Sequence, residues 1–357
     1  MSLTRTLVIG MFLLSIPVVS DAERVVLVAG GSAEVEPVRA ELSKLTQPFA
    51  VDFDSAGNMY IAEMTGEKIR VVNREGLLST YAGTGEKGAS GDGKEAYAAK
   101  VNGVHHLAVD AKGDLYVADT WNHRIRKIDS RNQMISAFAG TGKKGFAGDG
   151  GPALKALFGG IYCLAFSADG KRLYVADLDN RRIRKIDLAT GIVSTVAGNG
   201  KKGVPKDGAK ATEAPLVDPR AVAVDKLENI YILERGGDAL RVVDPNGFIR
   251  TLVGPGAKEC VDEEGKAPAP MKGPKHLCVD LEGNILIADT ENHSIRKYLP
   301  AEKKLIRVAG TGQAGNGGVN GPPLAIQLNK PHGVLVHPNG TIYISDSSNG
   351  RVLKIEK

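Results

Sequence analysis

Cysteine is scarce in this sequence: Cys163, Cys260 and Cys278 are the only three in 357 residues. An odd count at wide, unequal spacing leaves at least one unpaired and excludes a disulfide framework, so buried free thiols are expected. Charge of one sign is equally thin. The 46 basic and 41 acidic residues leave a net charge of +5 with no run of five like charges, too even a spread to announce a nucleic-acid partner. No nucleophile motif, paired carboxylates or phosphate-cradling loop is evident, so no complete catalytic constellation can be read. Aromatic residues make up only 5%, whereas 44 glycines suit tight turns and short strands rather than long helices.

The first 22 residues stand apart. Arg5 gives a positive start, Leu7–Val19 an apolar stretch, and Ser20 and Ala22 the small residues of a cleavage site. Residues 1–22 are therefore expected to be a secretory signal peptide. About 13 apolar residues fall short of the roughly 20 that a membrane span needs, and no cysteine follows to accept lipid. The mature protein, residues 23–357, is expected in the periplasm or outside the cell, without membrane insertion and as a monomer.

What fills those residues is repetition. Copies of GDLYVADTWNHRIRKI, at Gly113–Ile128, recur with their first residues at Gly57, Gly113, Gly170, Glu228, Gly283 and Gly340, spaced 56, 57, 58, 55 and 57 apart. Six repeats of this period imply a solenoid, an array or a propeller. Each copy reads as a β-hairpin: alternating Leu115–Ala118, turn chemistry at Asp119–Asn122, and a second strand at Arg124–Ile128. A first strand such as His105–Asp110 precedes the hairpin and a segment such as SAFAG, Ser136–Gly140, follows it. Four short strands per repeat is the content of one propeller blade.

The register of the ends decides between an open and a closed array. The chain opens at Arg24–Gly30 with RVVLVAG, the closing strand of a repeat, and its sixth repeat stops after the third strand. Docking the opening strand beside Arg351–Ile355 completes the last blade and hides the sheet edges. The expected fold is an all-β, six-bladed β-propeller of four-stranded antiparallel blades over residues 23–357. Between blades lie long connectors rich in Gly and Asp, such as Gly145–Leu157. They lack the alternating ligands and terminal Glu of a calcium loop, and read as solvated turns ending in short helix-like stretches.

The segments NHRIRKID at Asn122–Asp129, NRRIRKID at Asn180–Asp187 and NHSIRK at Asn292–Lys297, each preceded by a strand ending in Ala-Asp, resemble the NHL repeat. The resemblance implies a β-propeller, commonly of six blades. Some cytoplasmic members of that family bind RNA, which would give Arg70, Arg126, Arg184, Arg241 and Arg296 a role. An export signal removes the protein from RNA, and the hairpin register sets Asp119 against Arg124, Asp177 against Arg182, Glu63 against Lys68 and Asp346 against Arg351 as structural cross-strand pairs. No nucleic-acid partner is expected. His123 and His293 occupy the turn of the motif itself and are expected to serve the repeat.

First strands line the central channel of a propeller. Aligning them puts Phe49, His105, Tyr162, Arg220, Lys275 and His332 at one position and Ala50, His106, Cys163, Ala221, His276 and Gly333 at the next. Variable polar residues at a fixed place in a repetitive chain have the character of a binding site at the channel mouth. His105, His106, His276 and His332 are candidate metal ligands, for zinc or calcium, and Tyr162, Arg220 and Lys275 candidate catalytic or anion-holding groups. Secreted propeller lyases and lactonases resemble this in placing a metal at the channel. Two functions follow: a binding module for an extracytoplasmic protein, peptide or glycan, which needs no cofactor, or a metal-assisted lyase or hydrolase.

Overall fold

A computed structural model describes residues 23–34, 38–265, 267 and 270–356 of the chain; the expected signal peptide lies outside them. Six separate antiparallel sheets are arranged as blades. Blade 2 shows the order: Val104–Val109, Leu115–Asp119, Arg124–Ile128 and Met134–Ala139 pair as consecutive neighbours. Blade 6 holds Gly333–Val336, Ile342–Asp346 and Arg351–Glu356, and its fourth strand is the N-terminal Arg24–Gly30. Val25 stands opposite Ile355 and Gly30 opposite Arg351, which closes the ring in the expected register. Second strands such as Leu115–Asp119 are buried along their whole length because adjacent blades cover both of their faces. The aliphatic core is thus a set of inter-blade layers, for instance Ile69, Val104, Leu107 and Val117 between blades 1 and 2.

Repeated polar contacts explain the motif. The carboxylate ending each second strand accepts the backbone N–H of a residue seventeen or, in blade 3, eighteen positions earlier: Thr46 to Glu63, Asn102 to Asp119, Gly159 to Asp177, Val217 to Glu234, Lys272 to Asp289 and Asn329 to Asp346, at 2.5–2.8 Å. Each carboxylate therefore pins the loop leading into its own blade. The motif Asn three residues on donates to the same carboxylate, and the amides of Asn122, Asn180 and Asn349 also reach connector carbonyls. After it the chain turns through the left-handed region, at φ 53° for His123 and 49° for His293. His123 Nδ1 lies 2.5 Å from the Gly159 carbonyl of the next blade, and His293 Nδ1 accepts the Lys330 N–H, so both serve the repeat.

The glycine of each VAG-type segment sits at positive φ against that turn. A Cβ on Gly83, Gly140, Gly198, Gly254, Gly310 or the N-terminal Gly30 would fall within 3 Å of the carbonyl oxygen of the left-handed residue. Only glycine permits both the conformation and the approach.

Three details depart from expectation. The four cross-strand registers hold, and Arg124 and Arg351 pair with their opposite carboxylates at 3.2 and 2.7 Å, but two of the carboxylates also serve another cation. Glu63 reaches Arg70 and Asp177 reaches Arg184, because those arginines are buried and need a counter-charge more than half-buried Lys68 or Arg182 does. Connectors are also more structured than solvated turns. Their short 3-10 helices match the helix-like stretches expected, but four connectors add a two-residue fifth strand, Val38–Arg39, Lys94–Glu95 and Ala209–Lys210 antiparallel and Val261–Asp262 parallel to its neighbour. Their acidic residues do structural work, with Asp92 on Arg126 and Asp149 on Arg184, both at 2.7 Å. Those arginines have no accessible side-chain surface, which removes them from any surface that could bind a polyanion.

Candidate site at the channel mouth

In blades 1 to 4 the pairing of the first strand slips by one residue, and the residue left out is Phe49, His105, Tyr162 or Arg220. A bulge of this kind re-aims the unpaired side chain. Here it tips four of the six aligned residues into the mouth of the channel. Lys275 and His332 immediately precede the first strands of blades 5 and 6, and each donates its backbone N–H to the neighbouring strand.

Five of the six touch in sequence. His332 stacks on Phe49 at 3.9 Å, Phe49 meets His105 edge-on at 5.2 Å, His105 meets Tyr162 at 4.6 Å, and the Arg220 guanidinium lies over the Tyr162 ring at 4.4 Å. Lys275 contacts Glu291 at 3.4 Å. Arg220 is only 5% exposed, yet among the described residues it makes no hydrogen bond or ion pair, and its Nε is buried without a partner. Burial lowers its pKa to about 10, and burial also lowers that of Lys275.

The Nδ1 atoms of His105 and His332 lie 2.8 and 2.9 Å from the carbonyls of Gly103 and Lys330, so these nitrogens carry the protons. Burial, reinforced by Arg220, drops His105 to about 3; burial and Lys275 hold His332 well below the usual range. Both imidazoles are neutral, and their Nε2 atoms are acceptors.

The second aligned ring lies one residue further along each first strand. Ala50, Ala221 and Gly333 leave its axis clear, and His106 and His276 reach across from opposite blades, Nε2 to Nε2, at 2.7 Å. Leu164 N–H approaches His106 Nδ1 at 3.4 Å, whereas His276 Nδ1 has both the Val334 N–H at 3.4 Å and, closer, the Val334 carbonyl at 3.1 Å, and the closer contact decides. The proton order follows: His106 donates from Nε2 to His276 Nε2, and His276 donates from Nδ1 to Val334. Cys163 completes this layer, its sulfur and the two imidazole nitrogens lying within 4.8 Å of one another. Beyond it the channel widens into a largely apolar cavity of about 260 Å³ containing Asp52, whose carboxyl burial raises to about 6.

Five of the six residues of the expected ring are thus brought into contact, while the expected metal set is divided. His105 and His332 belong to the mouth with Phe49, and His106 and His276 to the layer below; the four do not share a centre, because successive strand residues alternate in direction. Cys163, read from sequence only as a buried thiol, is the third member of the inner group. Calcium does not suit its nitrogen and sulfur donors.

Sequence reasoning also missed the rim. The second residue of the turn after the blade carboxylate borders the mouth in two blades, bringing Trp121 against His105 at 5.6 Å and Glu291 onto Lys275. Trp121, the sole tryptophan, is 40% exposed there. The signal that found the inner ring, variation at a fixed repeat position, was present at Thr65, Trp121, Asp179, Gly236, Glu291 and Ser348 as well.

Fold and site together define a six-bladed propeller closed by its N-terminal strand, with a polar, aromatic-lined channel mouth. The chain belongs to the NHL repeat family: the sequence model of the NHL repeat matches residues 102–128 and 328–355, and that of the teneurin NHL domain matches residues 189–261. It is 30% identical over 271 residues to Protein SUPPRESSOR OF QUENCHING 1, chloroplastic, of Arabidopsis thaliana, covering 72% of this chain and 25% of that protein. It is 25% identical over 343 residues to NHL repeat-containing protein 2 of Gallus gallus, covering 87% and 46%. The chain therefore spans less than half the length of either relative.

Among solved structures, an auxiliary nutrient binding protein from Bacteroides ovatus superposes with a TM-score of 0.66 at 15% identity, over 94% of this chain and 76% of that one. Virginiamycin B lyase from Staphylococcus aureus superposes at 0.54 and 14%, over 88% and 97%. These two likenesses show the fold alone.

Proposed function

We propose that this protein is an extracytoplasmic binding module whose channel mouth holds an anionic group of a peptide or glycan partner. The observation that carries the reading is Arg220, a cation buried to 95% that forms no ion pair or hydrogen bond among the described residues, Asp218 being paired with Arg235. A buried charge left alone is costly, and a guanidinium pairs with a carboxylate, sulfate or phosphate through two parallel hydrogen bonds. Lys275 adds a second cation. The Nε2 atoms of His105 and His332 accept hydrogen bonds from hydroxyl or amine groups beside the anion, and Trp121 offers a ring on which a sugar or aromatic side chain packs. A binding role outside the cytoplasm agrees with the signal peptide read from residues 1–22, with the teneurin NHL match, and with the nutrient-binding name of one structural neighbour. Among the described residues no helix is long and apolar enough to cross a membrane.

Trp121 emission is the natural reporter. The purified protein is titrated with acidic oligosaccharides and with peptides bearing a free C-terminal carboxylate. Saturable quenching that weakens at least 100-fold in Arg220→Met supports the reading. Ligands that bind Arg220→Met as tightly as the native protein would overturn it. A second reading, a metal-assisted lyase or hydrolase, is favoured by the inner group of His106, Cys163 and His276. Metal-dependent turnover of a bound ligand, lost in His276→Gln, would establish it.

A further inference from the structure

We infer that the inner layer of the channel is a copper(I) site formed by the imidazoles of His106 and His276 and the thiolate of Cys163. The three donors come from blades 2, 5 and 3, so no local turn or cap explains their meeting. Residues at the same level in the other blades are Ala50, Ala221 and Gly333, which leave the space around the axis to these three side chains. His106 and His276 are 8% and 9% exposed and Cys163 is fully buried. Two nitrogens and one sulfur within 4.8 Å of one another form a compact donor set. Donors on one metal at ~2.0–2.3 Å stand about 3.3–3.7 Å apart, so the imidazole nitrogens need only open from 2.7 Å as the metal takes the place of the shared proton.

Chemistry narrows the metal. Thiolate with imidazole suits copper(I) and zinc(II), and excludes calcium and magnesium. Charge then separates the two. Copper(I) with one thiolate is neutral, whereas zinc(II) with one thiolate leaves a net positive charge in a buried layer already under the field of Arg220. Three protein donors also complete a trigonal site for copper(I) but leave zinc(II) one ligand short. Binding moves two protons. The Cys163 thiol proton leaves for solvent, and the His106 proton shifts from Nε2 to Nδ1, giving up the loose 3.4 Å contact with Leu164 N–H. No electron is transferred, because the metal arrives as copper(I).

The inference is independent of anion binding at Arg220, and either can fail alone. The test is an anaerobic titration of the full-length mature protein with copper(I) against a chromogenic copper(I) chelator, in a Cys260→Ser/Cys278→Ser background that removes the other thiols. The expected result is one copper(I) per chain with one proton released, and an affinity that falls at least 100-fold in Cys163→Ser and in His276→Gln. Thermal melting of each variant within a few degrees of the background shows that the propeller is intact. Retention of copper by Cys163→Ser, failure of the background protein to hold one equivalent, or stoichiometric zinc(II) binding that copper(I) does not displace would each overturn the assignment.

Discussion

Replacing Arg220 by Met should make this protein more stable while removing its ligand. Burial lowers the Arg220 pKa from 12.5 to about 10. At about 1.36 kcal/mol per pKa unit, the charged form is disfavoured in the folded protein by about 3 kcal/mol. The Tyr162 ring beneath the guanidinium returns ~0.5–2 kcal/mol of that. Met keeps most of the side-chain volume and contact without the charge. The balance is a gain of about 1–2 kcal/mol in unfolding free energy and a rise of a few degrees in Tm.

The gain should not vary between pH 5 and 8. A base whose folded pKa is depressed changes its contribution only above that value, and Arg220 stays charged in both folded and unfolded states until about pH 10. Urea denaturation followed by circular dichroism measures the stability, and Trp121 emission measures the binding. A loss of 1 kcal/mol or more in Arg220→Met would refute the reasoning, because it would show that the cation has a structural partner and is not held in readiness for a ligand.

The other predictions concern the repeat and the channel. Gly198→Ala should destabilise by about 2–4 kcal/mol in urea denaturation, since its Cβ meets the Arg181 carbonyl at a φ of 87°. Gly170→Ala, also at positive φ but with open space around it, should cost about 1 kcal/mol. Arg241→Met should cost about 3–5 kcal/mol by stranding the buried Glu234 carboxylate, and adding Glu234→Gln should recover much of it in the same assay. His276 sits at about 4 and His106 well below 6.5, both through burial, so the unfolded chain takes up their protons first and stability drains as pH falls from about 6.5 toward 4. Each histidine should cost about 2 kcal/mol between pH 7 and 5. Asp52, Asp177 and Asp289, raised to about 6, act with the opposite sign, so the difference from His106→Gln/His276→Gln across the same pH series isolates the pair.

How far the sequence could be read follows from which interactions repeat. Blade carboxylate, left-handed turn and VAG glycine form one contact set made six times, joined by the motif Asn in four blades, and all but the contacts of the borrowed strand tie residues at a near-constant separation along the chain. The period therefore displayed the blades, the hairpin register and even the borrowed N-terminal strand, because Gly30 meets Gly350 as Gly198 meets Arg181. The channel is different in kind. His106 meets His276 across 170 residues, a contact made once, between blades whose angular relation no single repeat encodes.

Alignment of first strands placed His106 and His276 one position beyond His105 and His332, yet it could not show that the outer residues of blades 1 to 4 are left unpaired and tipped into the mouth. That depends on a bulge, which appears in strand pairing and leaves no mark on the pattern of residue types. Arg220 is the sharpest case. In sequence its place in the first-strand ring marked it as a candidate, but not that it lacks a partner: Arg126 and Arg184 are buried against connector acids at 2.7 Å while Arg220 is buried against a tyrosine ring and forms no ion pair among the described residues. The repeat supplies five arginines with their counter-charges. The mouth supplies one that forms no ion pair among the described residues, and this difference between buried cations of the same type separates the part of the chain that builds the propeller from the candidate site.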